Sequence, residues 1–103
     1  MSRRQYLRSG SIVPVPTAGT PIPLSLTDLW VKSVIIQASP SNTDFVYVGD
    51  QTAQLQALEP RRSLKIWGDE MDNGGSALIN LAEIYIDATV NGEGVSFTYL
   101  EGN

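Results

Sequence analysis

Cysteine and histidine are both missing from the 103 residues. Without thiols there is no disulfide, no thiolate nucleophile and no zinc–sulfur centre. Without imidazole the chain lacks the group most used for proton transfer near neutral pH and for transition-metal ligation. No Ser-His-Asp or Cys-His arrangement can be built. No apolar run approaches the ~20 residues that a membrane-spanning helix needs. Residues 1–10 carry Arg3, Arg4 and Arg8 with no apolar stretch after them, which is not the form of a secretory signal. The chain is expected to be made in the cytoplasm and to have no membrane partner.

Charge is unevenly placed. Residues 1–27 hold three arginines and no acid, a net of +3. Residues 28–103 hold Lys32, Arg61, Arg62 and Lys65 against eleven acids, a net of −7. A basic leader on an acidic body points to an acidic surface as its target.

The leader does not read as a helix. Ser9, Gly10, Pro14, Pro16, Thr17, Gly19, Pro21 and Pro23 rule one out and interrupt regular pairing. Its apolar residues nevertheless alternate through Ile12, Val13, Val15, Ile22, Leu24 and Leu26, and proline keeps its neighbours extended. Residues 1–19 are therefore expected to be an extended N-terminal arm lying on another surface or adding to a sheet edge. Its contacts with a partner would come from Arg3, Arg4, Tyr6, Arg8, Ile12, Val13 and Val15. Deleting residues 1–18 is expected to leave a folded body.

Residues 20–103 read as one β domain. Val31 to Ala38 is short and rich in β-branched residues, as a strand should be. Ser39 to Thr43 is a turn, and Asp44 to Gly49 is a second strand with Val46 and Val48 on its core side. Leu64 and Ile66 alternate with Lys65 and Trp67. Ile84, Ile86, Ala88 and Val90 form an apolar row opposite Tyr85, Asp87 and Thr89. Asn91-Gly92-Glu93-Gly94 has the composition of a hairpin turn, with Val95, Phe97 and Tyr99 alternating in the return strand. No stretch carries a helical period. The expected fold is all-β, a small antiparallel β-sandwich, jelly-roll-like or barrel-like.

Candidate chemistry is sparse. Asp69, Glu70, Asp72 and Asn73 could offer oxygen ligands to a hard cation, but the spacing is not that of an EF-hand loop. Charged loops are usually solvated, and no metal or cofactor is expected. Glu83, Asp87 and Glu93 lack any group to orient them as catalytic carboxylates, and no enzyme is expected. Arg61 and Arg62 add a second basic spot, but an acidic body repels phosphate, so direct nucleic-acid binding is not expected. The aromatic residues Tyr47, Trp67 and Tyr85 fall opposite the rows assigned to the core. They are candidates for a subunit interface, where such residues are enriched.

From Ala18 onward the chain resembles small virion structural proteins of tailed bacteriophages. The resemblance rests on elements in order: Ala18-Gly-Thr-Pro-Ile-Pro-Leu24, Val31-Lys-Ser-Val-Ile-Ile-Gln-Ala-Ser-Pro-Ser-Asn42, Val46-Tyr-Val-Gly49, Leu58-Glu-Pro60 with Ser63-Leu64, Asn80-Leu-Ala-Glu-Ile-Tyr-Ile-Asp87, and Asn91-Gly-Glu-Gly-Val95. It spans roughly residues 18–100. One departure is Pro60-Arg61-Arg62, where Pro-Gly would be expected before the Leu64 strand. The resemblance implies a virion location and a capsid decoration or cement role, with the major capsid protein or another virion protein as partner. A homo-oligomer, with a trimer favoured, is expected. A neck or tail component or fibre-anchoring adaptor is the alternative. A carbohydrate-binding module, with Trp67 and Tyr85 stacking on sugar rings, is a third reading from another class.

Overall fold

Alternation of apolar and polar side chains sets most of the chain into short antiparallel strands. The computed structural model describes residues 5–67 and 78–102. Ten strands follow in order: β1 (Gln5–Pro14), β2 (Ile22–Pro23), β3 (Trp30–Val31), β4 (Ser33–Ala38), β5 (Val46–Gly49), β6 (Gln56–Leu58), β7 (Ser63–Trp67), β8 (Ile79–Asn80), β9 (Tyr85–Ala88) and β10 (Gly94–Gly102). A single 3-10 turn, Leu81–Glu83, is the helical element among the described residues. The protein is all-β.

The ladders nest. β1 pairs with β10, β2 with β9, β3 with β8, β4 with β7 and β5 with β6, all antiparallel. The chain thus forms one long ribbon doubled back on itself. Two further ladders, β10 with β4 and β5 with β9, fold that ribbon into sheets. The first sheet has the order β1-β10-β4-β7, the second β2-β9-β5-β6, and β3-β8 is a separate two-stranded piece.

One buried cluster draws from both four-stranded sheets. Val34, Ile36 and Ala38 of β4 and Val95 and Phe97 of β10 meet Val46 and Val48 of β5 and Ile86 and Ala88 of β9. β4 shows the period of two directly, with Val34, Ile36 and Ala38 buried and Ile35 and Gln37 exposed. The core rows expected on β5 and β9 are the ones found. Val90 is the exception: it lies past the end of β9 and is 37% exposed.

The turn at Asn91–Gly94 departs from expectation. It joins β9 to β10, which lie in different sheets, so it is a corner between sheets and not a hairpin. Glu93 N–H donates to the Val90 carbonyl, and Gly92 has φ +84° while Asn91 does not enter positive φ. Positive φ at the second central residue alone is the type II pattern. Its twist splays the flanking strands, whereas hairpins favour the primed turns.

The N-terminal segment also departs from expectation. Gln5–Pro14 is not held out from the body; it is the outer strand of the first sheet, paired with β10 on both sides of a bulge between Ser9 and Ile12. Val15 is fully buried. Its N–H donates to the Glu93 carbonyl at 2.9 Å and its carbonyl accepts from Gly92 N–H at 2.7 Å. Pro14 ends the strand without ending the pairing. The apolar residues of the leader therefore find their area within this chain.

Polar side chains tie the corners. Asn42 is buried; its Nδ2 donates to the Gly94 carbonyl at 2.8 Å and its Oδ1 accepts from Gly94 N–H at 3.3 Å. Asn80 caps the 3-10 turn by accepting from Ala82 N–H, and it also accepts from Leu29 N–H and donates to Asp28. Among the described residues no buried side-chain polar atom lacks a partner. Gly94 is tight as well as bonded: a Cβ there would fall inside the contact distance of the Val13 carbonyl oxygen, which is backbone and has nowhere to move. Gly94→Ala is expected to lower stability by about 1–3 kcal/mol, the usual range for overpacking, read as the shift of the urea midpoint at unchanged m-value.

Candidate interaction surfaces

The outer face of the first sheet is built in three rows by the register. Leu7, Leu100, Ser33 and Trp67 lie side by side across its four strands. Ser9, Thr98, Ile35 and Lys65 form the next row, and Ile12, Ser96, Gln37 and Ser63 the third. Leu7 is 71% exposed, Ile12 74% and Trp67 63%. Lys65 is the one ionisable side chain in these rows, and its Nζ sits 4.9 Å from the Trp67 ring centroid. The two side chains make a cation–π contact. Five of these twelve positions are apolar, six are uncharged polar and one is charged, so large apolar side chains stand exposed on a nearly uncharged face, the mark of a contact surface more than a solvated one.

The second sheet presents a different outer face. Tyr47 lies between Ala57 and Asp87, and Tyr85 between Pro23 and Gly49. Both tyrosines are half-buried, and Phe45 stacks toward Tyr47 with ring centroids 6.4 Å apart. Beside Tyr85, Asp50, Gln51, Thr52 and Glu83 surround a shallow hollow of about 330 Å³. The three aromatics proposed from sequence for one interface are therefore split. Trp67 is on the first sheet, and Tyr47 and Tyr85 are on the second.

The leader residues divide as well. Arg8 forms an ion pair with Glu101, Nε to Oε2 3.3 Å. Ile12 is exposed, Val13 packs partly against the core, and Val15 is inside it. A fully buried Val15 cannot meet a partner, which corrects its assignment as a contact residue. Tyr6 is placed on β1 by its backbone. Arg3, Arg4 and the acidic stretch Asp69–Asn73 lie outside the described residues.

An apolar groove of about 620 Å³ went unseen in the sequence. It runs between the bulge of β1 and the segment 22–26, with Ile12, Val13, Leu24 and Leu26 at its sides and Phe97 and Tyr99 at its floor. Gly10 lies directly against the Phe97 ring, which leaves no room for a Cβ.

Several carboxylates are occupied by structure. Asp87 Oδ1 accepts from Gly19 N–H at 2.9 Å and Ala88 N–H at 2.8 Å. Asp50 Oδ1 accepts from Thr52 and Ala53 N–H and closes its own turn. Among the described residues no group of three or more acids is placed to hold a metal. Glu93 clamps two loops. Its Oε2 accepts from Thr43 N–H and Oγ1, both at 2.8 Å, and its Oε1 accepts from Asp44 N–H at 3.3 Å. Partial burial alone would push the carboxyl pKa up, but the hydrogen bonds from Thr43 and Asp44 outweigh it and hold the pKa below its ordinary 4.5. A carboxyl with a lowered folded-state pKa stabilises the fold above its unfolded pKa and loses that contribution as the pH falls through the folded value. Wild-type melting temperature should therefore drop more steeply than that of Glu93→Gln between neutral pH and pH values below 4.5. Parallel curves would show that the clamp carries no charge-dependent stability.

No family model, curated protein or solved structure matches this chain.

Proposed function

We propose that this chain is a structural subunit of a tailed-phage virion, a capsid decoration or cement protein that binds and does not catalyse. The observation that carries the reading is the outer face of the first sheet, where Leu7, Ile12, Ile35 and Trp67 are exposed and Lys65 is the single charge in the rows. A surface of that kind is what a shell-binding subunit needs and what a free monomer avoids.

Two further features support it. The nested ladders give the orders β1-β10-β4-β7 and β2-β9-β5-β6, which support an eight-stranded jelly-roll sandwich, an architecture common in viral capsid domains. Fold alone does not carry function, but here it agrees with the quoted sequence elements. The one departure from those elements fits as well. Arg62 N–H donates to the Glu59 carbonyl at 3.0 Å and Arg61 has φ +73°, so Pro60-Arg61 fills a type II turn at the position where glycine is at ease.

Quantitative mass spectrometry of purified particles tests the reading. Hundreds of copies per particle is the expected result. A copy number of roughly six to eighteen, the range of ring assemblies, would move the chain to the neck or tail, and its absence from particles would end the reading. Trp67→Asp should lower particle occupancy while leaving the melting temperature nearly unchanged, because Trp67 is 63% exposed.

A second reading has a specific observation behind it. Jelly rolls also occur as lectins, and Tyr85 borders a hollow lined by Asp50, Gln51 and Glu83. A glycan array with no binding that depends on Tyr85 would remove it.

A further inference from the structure

Asn91-Gly92 is a chemically reactive pair wherever the chain is free to move. The Gly92 amide nitrogen, once it loses its proton, can attack the side-chain carbonyl carbon of Asn91, because glycine puts no side chain in the way. A bond forms from that nitrogen to Cγ and closes a five-membered imide. The Cγ–Nδ2 bond breaks, and the amide leaves as ammonia with the proton. Water then opens the ring at either carbonyl and leaves aspartate or isoaspartate at position 91. The net change converts one amide and one water into one carboxylate and one ammonium ion, with no oxidant or cofactor. Asn91 and Gly92 are both exposed, and beyond its chain neighbours nothing lies within 4 Å of the place a Gly92 Cβ would take. Water and hydroxide therefore reach the pair.

The folded corner withholds each movement the reaction needs. Gly92 donates its N–H to the Val15 carbonyl at 2.7 Å, so the proton that must leave is held. Asn91 Oδ1 accepts from Ala18 N–H at 2.7 Å, so the side chain that must swing is held too. The turn is also wrong for ring closure. The imide needs the Asn91 Cβ nearly eclipsed with the Gly92 nitrogen, whereas a type II turn sets ψ of its first central residue at about +120°, roughly a third of a full rotation away. Turning that bond swings the peptide between Asn91 and Gly92 and pulls the Gly92 N–H off Val15. Val15 cannot follow, because it is fully buried and its own N–H is bonded to the Glu93 carbonyl at 2.9 Å. Both holds on the reactive pair thus come from one short segment, residues 15–18.

We propose that Asn91 is a site of spontaneous deamidation that residues 15–18 keep closed, so that the reaction runs through local opening of that segment. Each event marks the chain with one added negative charge beside Asp87, since Asn91 and Asp87 hold the consecutive amides of Ala18 and Gly19. The modification is a covalent record of how often the end of the leader lets go of the corner. It does not rest on a virion location.

Peptide mapping by mass spectrometry tests it on the full chain, kept at mildly alkaline pH with and without concentrated urea. In urea Asn91 should deamidate about as fast as Asn73-Gly74, the other Asn-Gly pair of the sequence. In native buffer Asn91 should react at least about tenfold more slowly than in urea. Hydrogen exchange at the Gly92 amide begins with loss of the same proton and should be protected as well. Val15→Ala loosens the segment without touching the reacting atoms, and should speed the native reaction by about tenfold. Val34→Ala makes the same truncation at a fully buried site on β4 and should leave the native rate within about twofold, with circular dichroism melts to show that both variants fold. No reaction at Asn91 in urea, equal rates with and without urea, or an unprotected Gly92 amide overturns the proposal. Equal acceleration by the two variants overturns it too, because the opening would then be that of the whole chain and not of residues 15–18.

Discussion

Ile86→Asp is expected to abolish cooperative folding. Ile86 is fully buried. It faces Ile22 of β2 on one side and Val48 of β5 on the other, so no rotamer carries a carboxylate to water. The described residues offer no cation in any strand of this sheet. An ionised group there would be unpaired, and a neutral one would still lack a hydrogen-bond partner. The cost is about 4–5 kcal/mol or more, against a total stability of about 5–10 kcal/mol for a chain this size. Ile86→Val is the control, with a loss of about 1 kcal/mol and a melting temperature lower by about 4–8 °C. A soluble Ile86→Asp protein with a sharp thermal transition would show that the face assignment of β9 is wrong.

Deleting residues 1–18 is expected to destabilise the domain severely. That reverses the outcome expected from sequence. The deletion removes the outer strand of the first sheet and exposes the full length of β10 as a new edge. It also takes out Val15, whose complete burial is worth about 2 kcal/mol, along with the partly buried Val13. The Val15 hydrogen bonds to Glu93 and Gly92 go too, as does the bond that Ala18 makes to Asn91. Those bonds hold the corner between β9 and β10. Insoluble expression, or a melt that has lost its cooperativity, is the expected result. A truncated chain that melts cooperatively within a few degrees of the full chain would refute the account of β1. The same comparison on particles must use the exposed-face variant Trp67→Asp, because a chain that does not fold cannot report on attachment.

The core was legible because it depends on local alternation. Val46 and Val48, or Ile86 and Ala88, are two residues apart on one strand, and a strand has only two faces. The corner at Asn91–Gly94 was misread because Asn-Gly marks a turn without saying which sheet the next strand joins. Its twist follows from a φ angle at Asn91 that the residue tolerates with either sign. Arg61 is a similar case, since its positive φ is imposed by the turn between Glu59 and Arg62.

By itself the sequence determined an all-β chain, the buried rows of β5 and β9, the positions of its turns, and the absence of thiol and imidazole chemistry. Each of these follows from residue type or from spacing within a few residues. Only the tertiary structure decided that Gln5–Pro14 is an edge strand, that Val15 belongs to the core, and that Trp67 and Tyr85 lie on different sheets. Those outcomes depend on ladders between residues as far apart as Gln5 and Gly102. Which strands pair at such distances is set by the total burial of the whole chain, and no local pattern encodes it.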